Sequence, residues 1–501
     1  MNIIHGDCLE ELKKLEDNSI DAVVCDPPYG LGNTKPQQVA DVLKAWVTGD
    51  AEAAPTTKGG FMNASWDSFV PPPAVWEECM RVLKPGGHMA VFAGARTQDL
   101  MGLSIRLAGF EIRDTLGWIY GSGFPKSHSI GKAIDKRGGN AHLAKEIGKA
   151  IQEARESRGL TKGWCDERFC GGTTNWSWFE GRPAGIRPPS VEVFSAIVNE
   201  WPELGVYAEK VAEVEREVVG AGKSGKTYGM GGLRGVETST GSFDITTPAT
   251  SEAQRWDGWG TALKPAIEPI ILARKPLDGT VANNVLAHGV GGLNIDACRV
   301  GTTVETWPKT RSFTSGISSG YTSGIEKGPT QSTGEAPAGR FPANVLLDEH
   351  AAKEMDKQSG YQKDGFHVAR NRDHDAKMGG FDGGWKKDAK SGGYGSGGGA
   401  SRYFPVFKYQ AKAPKKERPV IEREDGTKIQ HNTVKPLALM EWLVSLIVPP
   451  GGVVLDPFAG SGTTLQAALN KGFQPIGIEQ DADYIKLIEK RLEATCTTHK
   501  N

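Results

Sequence analysis

Apolar and polar positions in the first thirty residues change period three times. Asn2–His5 reads as a short strand, Cys8–Leu15 sets Leu9, Leu12 and Leu15 on one helical face, and Ala22–Cys25 is an unbroken apolar run of the kind buried on both sides of a sheet. That run stops at Asp26-Pro27-Pro28-Tyr29, where two prolines remove the donors a ladder needs. The alternation continues with a helix at Pro73–Leu83, a turn at Gly86-Gly87, a strand at His88–Ala93, a helix at Gln98–Leu107 and a strand at Glu111–Tyr120. Elements alternating in this way predict an α/β fold with a mostly parallel sheet.

Between 141 and 217 the pattern turns helical, with runs at Leu143–Ser157 and Val191–Trp201 around Trp164, Trp176 and Trp178. An inserted helical module is expected there. Ile147, Ile151 and Ala154 share one face, and Pro189-Ser190 caps the final helix. The module resembles the helix-turn-helix of lambda-repressor-like domains, with Cys170-Gly171-Gly172 in place of their tight central turn. Residues 218–262 and 301–340 are rich in Gly, Ser and Thr and read as long loops, whereas Ile267–Arg274 and Phe341–Leu347 read as strands. A basic, glycine-rich stretch at 359–402 is expected to be mobile without its ligand. From 403 order returns: strand Tyr403–Tyr409, helix Leu437–Val448, strand Val453–Asp456, helix Thr463–Asn470, strand Pro475–Glu479 and helix Ala482–Glu493.

Composition sharpens this picture in three places. Glycine makes up 65 of 501 residues, about twice the usual ~7%, which matches the long loops. Lys and Arg number 59 against 60 Asp and Glu, so any polyanion must be met by a local patch, such as Arg402, Lys408, Lys412, Lys415, Lys416 and Arg418. Seven scattered cysteines without a CxxC pair argue against a disulfide framework or a zinc site, and no metal is expected. They fit a reducing cytoplasm. The first residues lack the basic and apolar regions of a signal peptide, and the longest apolar stretch, Leu437–Val448, contains Glu441 and ends at Pro449-Pro450. The expectation is a cytoplasmic protein that makes no use of a membrane.

The chemistry concentrates at strand ends. Val453–Asp456 runs into Pro457-Phe458-Ala459-Gly460-Ser461-Gly462-Thr463-Thr464 and a helix, so Gly460 and Gly462 sit where backbone must approach a ligand. Glu479 ends the next strand, 23 positions after Asp456, where a carboxylate reaches the ribose hydroxyls of a nucleoside. No third glycine follows at the step a pyrophosphate requires, which favours a nucleoside without one, such as S-adenosylmethionine. Joining the C-terminus to the N-terminus in imagination gives one continuous series of β–α units, Val454–Asp456, Ile476–Glu479, Ile3–Asp7 and Val23–Asp26. The fold is written in permuted order. Asp7 then ends a third strand, within reach of the cofactor's adenine, and Asp26 a fourth, beside the transferable methyl.

Asp26-Pro27-Pro28-Tyr29, the Phe458-x-Gly460-x-Gly462 loop and His431-Asn432-Thr433-Val434-Lys435-Pro436 together resemble the amino-methylating DNA methyltransferases of permuted, beta-type order, the N6-adenine and N4-cytosine family. Gly121-Ser-Gly-Phe-Pro-Lys126 and Ala262-Leu-Lys-Pro-Ala-Ile-Glu-Pro269 resemble its bacteriophage and prophage members. The resemblance implies a Rossmann-like core that binds S-adenosylmethionine through the glycine loop and Glu479, with the segment around Thr433 and Lys435 closing over the cofactor's methionine end. It also implies double-stranded DNA as partner, with the target base taken out of the helix. On this reading 1–140 is the first part of the catalytic core, 141–217 the inserted module, 218–402 a target-recognition region with some core strands, and 403–501 the second part of the core.

Physical chemistry supports that reading of Asp26–Tyr29. An exocyclic adenine amine is a poor nucleophile because its lone pair is delocalised into the ring. Asp26 and the Pro27 carbonyl can accept its two N–H groups and stabilise the positive charge that develops. The prolines pre-order the backbone and Tyr29 offers a stacking face. Cytosine N4 presents a similar amine, but Asp rather than Ser at position 26 favours adenine. C5-cytosine methylation needs a thiolate nucleophile, and Cys25 lies inside a strand. Two other classes remain: a helix-turn-helix regulator with an inactive core, and a nucleotide hydrolase using Gly220-Ala-Gly-Lys-Ser-Gly-Lys-Thr227, which matches a phosphate-loop spacing. The target sequence, a homodimer and a partner restriction nuclease are not readable from these residues.

Overall fold

The computed structural model describes residues 2–32, 34–55, 65–121, 123, 127–134, 140–172, 176–180, 189–214, 218–223, 242–246, 251–301, 310–312, 330–332, 339–362, 397–407, 418–423, 425–431 and 433–498. Residues 1–123 and 266–501 form one compact unit, and 124–265 a second.

The first unit is built on a nine-stranded sheet. Its strands are β1 (Asn2–His5), β2 (Ile20–Cys25), β3 (Leu83–Phe92), β4 (Glu111–Ile119), β5 (Ile267–Arg274), β6 (Val345–Asp348), β7 (Val406–Phe407), β8 (Val453–Asp456) and β9 (Gln474–Glu479), in spatial order β1-β9-β8-β2-β3-β5-β4-β6-β7. β5 runs antiparallel to both of its neighbours and every other pairing is parallel. The first strand of the chain pairs with the last, Asn2 opposite Ile476 and His5 opposite Glu479. This is a Rossmann-like, mostly parallel α/β sheet, as the sequence predicts.

The continuous apolar runs have a simple cause. Val23 and Cys25 of β2 pack on one face with α1 (Cys8–Leu12), α2 (Pro73–Val82) and α3 (Gln98–Leu107). Ala22 and Val24 pack on the other with α4 (Leu437–Ile447) and α5 (Thr463–Asn470). Both faces are covered, so successive residues are buried and the strand shows no polar alternation.

Of the boundaries that differ from expectation, three have a plain local reason. Gly86-Gly87 does not separate α2 from a strand, because β3 already begins at Leu83. Ile20 pairs with Leu83 and Ala22 with His88, so the intervening residues form a bulge with Gly86 at φ +78°, pinned by the Lys84–Asp21 ion pair at 2.6 Å. The strand expected from Phe341 starts only at Val345, past Pro342, which has no N–H to give the ladder. The strand expected at Tyr403–Tyr409 is Val406–Phe407, preceded by a 3-10 turn at Ala400–Tyr403, and Lys408, Tyr409, Lys412, Lys415 and Lys416 lie outside the described residues.

The second unit contains helices at Asn140–Ser157, Lys162–Phe169, Trp176–Glu180, Val191–Glu200 and Ala208–Val214. Its core is aromatic: Trp176 stacks on Phe169 at 5.5 Å, and Trp201 meets Phe169 edge-on at 5.4 Å. A buried carboxylate, Glu180, is neutralised by Arg155 at 2.5 Å and Lys162 at 2.8 Å and accepts from Trp176 Nε1 at 2.8 Å. The chain between the second and third of these helices turns through Gly171 and Gly172, at φ +61° and +78°. The spacing match to a phosphate loop finds no support here. Val218–Lys223 is a strand paired antiparallel with Ser242–Thr246, so Gly220 faces Ile245 in a β-ribbon rather than opening a loop before a helix. Ser224–Thr227 lie outside the described residues, as do most of 359–402 and the Gly181-Arg182 pair of the module. Among the described residues no helix is long and apolar enough to cross a membrane.

Candidate active site

Strand direction decides which residues meet. β1, β9, β8 and β2 are parallel, so Asp7, Glu479, Asp456 and Asp26 come to the same carboxyl edge of the sheet. β5 is antiparallel and brings its amino end, with Glu268, to that edge.

The glycine turn after β8 is held from three sides. Phe458 N–H donates to Asp456 Oδ1 at 3.0 Å, and Gly460 N–H donates to Glu479 Oε2 at 2.7 Å. The other Glu479 oxygen accepts from Asp481 N–H at 2.8 Å. The buried Arg491 guanidinium donates to the Ser461 carbonyl at 2.6 Å from behind. Gly460 and Gly462 sit at φ +54° and +76°, and a Cβ on Gly462 would lie 3.0 Å from Ile488 Cγ2, so glycine is required for space as well as conformation. Phe458 packs on Trp76 at 6.2 Å.

Burial pushes the Asp456 carboxyl up to about 7, helped by the charges of Asp26 and Glu479 and opposed by the Thr464 hydroxyl and Phe458 amide. Burial also raises Glu479, against the Asp481 and Gly460 amides. Asp7 is exposed and caps α1, its Oδ1 accepting from Leu9 N–H at 3.0 Å. His431 Nδ1 lies 2.6 Å from the Thr433 carbonyl, and its Nε2 lies 3.0 Å from where a Cβ on Gly460 would be. The His431–Thr433 segment therefore faces the glycine turn; Asn432 lies outside the described residues.

The Asp26–Tyr29 end of the edge carries a shared cation. Lys435 Nζ lies 3.0 Å from Asp26 Oδ2 and 3.0 Å from Glu268 Oε2, and it donates to Tyr29 Oη at 2.9 Å. Tyr29 Oη in turn faces Glu268 Oε2 at 3.4 Å. Burial alone would lower the Lys435 ammonium, but the two carboxylates outweigh it and hold the group above its ordinary value. Burial, with Asp26 and Glu268, pushes the Tyr29 hydroxyl well up, so it stays protonated. Cys25 is buried and its thiol is also raised by burial, which fits a packing residue and not a nucleophile. Pro27 is buried and Pro28 half-buried.

Two residues that fix this turn carry no sequence signal of their own. Buried Asp67 accepts from Tyr29 N–H at 2.7 Å and Gly30 N–H at 2.9 Å, and Thr97 Oγ1 donates to the Tyr29 carbonyl at 2.5 Å. Asp67 ends a single 3-10 turn, Ser65–Asp67, outside any strand end. Glu268 falls within the Ala262–Pro269 phrase, where a charge at the start of a buried strand is the available clue.

A sheet of this order brings the acidic-proline turn and the glycine turn to one carboxyl edge, where open α/β sheets bind their ligands. Residues 20–141 and 337–490, together more than half of the chain, match the N6/N4 family described as DNA methylase, and the chain belongs to it. The chain is similar to the Type II methyltransferase M2.DpnII of Streptococcus pneumoniae, 41% identical over 70 residues, covering 14% of this chain and 26% of that protein. It is 46% identical over 63 residues to the DNA adenine methyltransferase YhdJ of Escherichia coli K12, covering 13% and 21% of the two. It is 46% identical over 77 residues to the Type II methyltransferase M.HinfI of Haemophilus influenzae, covering 15% and 21%. The matched stretches span about a quarter or less of the length of these curated relatives.

Proposed function

We propose that the chain is a DNA methyltransferase of permuted, beta-type order that transfers a methyl group from S-adenosylmethionine to the N6 amine of adenine. The observation that carries this reading is the common edge shared by Asp26–Tyr29 and the Asp456–Gly462 turn with Glu479. Gly460 and Gly462 give the open backbone, Glu479 offers the lone pairs left over from its two amide bonds to ribose hydroxyls, and Phe458 and Asp7 stand beside the nucleoside. Thr433 and Lys435 bound the methionine side. S-adenosylmethionine supplies an electrophilic methyl on a sulfonium sulfur.

The protein's own part is to make the amine reactive. Asp26 and the Pro27 carbonyl accept its two N–H groups, and Asp26 takes the proton that the nitrogen loses once the new N–C bond has formed. Pro27 and Pro28 limit the ordering this needs, while Tyr29 stacks on a base extruded from double-stranded DNA. Asp at position 26 and the adenine name carried by the Escherichia coli relative favour adenine over cytosine N4. The module at 141–217 and the region 218–402 are assigned to target recognition, in a cytoplasmic enzyme related to bacteriophage and prophage members through the 121–126 and 262–269 phrases. Ser122 and 124–126 lie outside the described residues.

Modification-dependent sequencing of DNA from cells expressing the chain is expected to show N6-methyladenine at one sequence context. The mark should fall by on the order of 10² with Asp26→Ala while cofactor affinity barely changes. Unmodified adenine with wild-type protein, or an active Asp26→Ala, would overturn the reading.

A further inference from the structure

The carboxylate that the proposed reaction needs already has one oxygen engaged. Asp26 Oδ2 holds the Lys435 ammonium at 3.0 Å, in the place of a donor, while the target amine must donate to the same carboxylate. A largely buried ammonium does not give up its counter-ion without replacement, because an uncompensated charge is strongly unfavourable there. Here a replacement is in place. Glu268 Oε2 lies at the same 3.0 Å from Lys435 Nζ, and Tyr29 Oη, which accepts from Lys435, also faces that oxygen.

We propose that Glu268 is a positioning residue which retains the Lys435 ammonium when the exocyclic amine of the target base takes its place on Asp26. The proposal rests on the methyl-transfer reading above. One ammonium between two carboxylates also leaves a net charge of one negative unit facing a nitrogen that becomes positive as it is alkylated. Without Glu268 the Asp26–Lys435 pair is neutral and closed, so the amine must compete with a permanent cation for its acceptor. The arrangement depends on β5 being antiparallel, since a parallel strand would carry residue 268 to the opposite edge of the sheet.

The test compares full-length wild type, Glu268→Gln and Glu268→Asp in single-turnover methyl transfer to duplex DNA, alongside equilibrium binding of S-adenosylmethionine and of DNA. Glu268→Gln is expected to lower the transfer rate by on the order of 10², with both affinities within about 3-fold of wild type. Glu268→Asp keeps the charge and should lose only a few-fold. A wild-type rate in Glu268→Gln, or a loss confined to either affinity, overturns the proposal while leaving the enzyme reading intact. A wild type that methylates no DNA overturns the enzyme reading itself. Should Glu268→Gln fail to fold, Glu268→Asp decides: a few-fold slower rate at unchanged affinity supports the proposal, and an unchanged rate overturns it.

Discussion

Gly460 donates its backbone N–H to the Glu479 carboxylate at 2.7 Å, so the turn after β8 and the end of β9 act as one piece. The same carboxylate holds Asp481 N–H, and two amides lose their acceptor together if it is removed. Glu479→Ala is therefore expected to weaken S-adenosylmethionine binding by about tenfold or more, equivalent to about 1.4 kcal/mol, as read by calorimetry. Glu479→Gln keeps one carbonyl acceptor and should lose less. Affinity within twofold of wild type in Glu479→Ala would contradict the role given to this contact.

Asp67 supports Asp26–Tyr29 from outside the motif. Its carboxylate is 2% exposed and satisfies the amides of Tyr29 and Gly30. Asp67→Ala leaves both without their acceptor, at about 1–3 kcal/mol for each donor that stays buried. Urea unfolding should show that loss, and single-turnover transfer should slow while cofactor affinity holds. Asp67→Asn, which keeps an acceptor oxygen, is expected to fall between the two. A stable Asp67→Ala of full activity would show that the turn orders itself.

Asp456 gives the fold a pH signature. Its carboxyl is raised from 3.8 to about 7, chiefly by burial, so the folded state holds a proton that the unfolded chain releases near 4. The stabilising contribution of that proton is complete below pH ~4 and is lost as pH rises towards 7. Asp456→Asn removes the titration while keeping an oxygen for the Phe458 amide. The difference in unfolding free energy between wild type and Asp456→Asn should thus shift against the wild type from pH 4 to 7. Parallel stability curves across that range would refute the assignment.

Much of the site is legible before any coordinates because its residues sit at strand ends, where a carboxylate or glycine breaks an apolar run. Asp26, Asp456, Gly460 and Glu479 are of this kind. Asp67 and Glu268 are not, because their roles are set by which segments lie side by side. The direction of β5 is likewise invisible, since an apolar run buried on both faces reads the same in either orientation. Lys435 is legible as a site residue from its motif, with the cofactor's methionine end as the expected neighbour; its contact to Glu268 emerges only once the antiparallel strand is placed. The Gly220–Thr227 spacing is the converse case, a motif match whose Val218–Lys223 part is one strand of an antiparallel ribbon.

The pairing of β1 with β9 also sets an order in time. Asn2 and Ile476 are 474 positions apart, so at about 5–20 residues per second of synthesis the first strand waits roughly half a minute to a minute and a half for its neighbour. Throughout that interval β1 offers an unpaired edge. A nascent chain meanwhile carries Asp26–Tyr29 with no cofactor turn beside it. On the proposed reading, the two halves of the site meet only when Glu479 takes its place opposite His5.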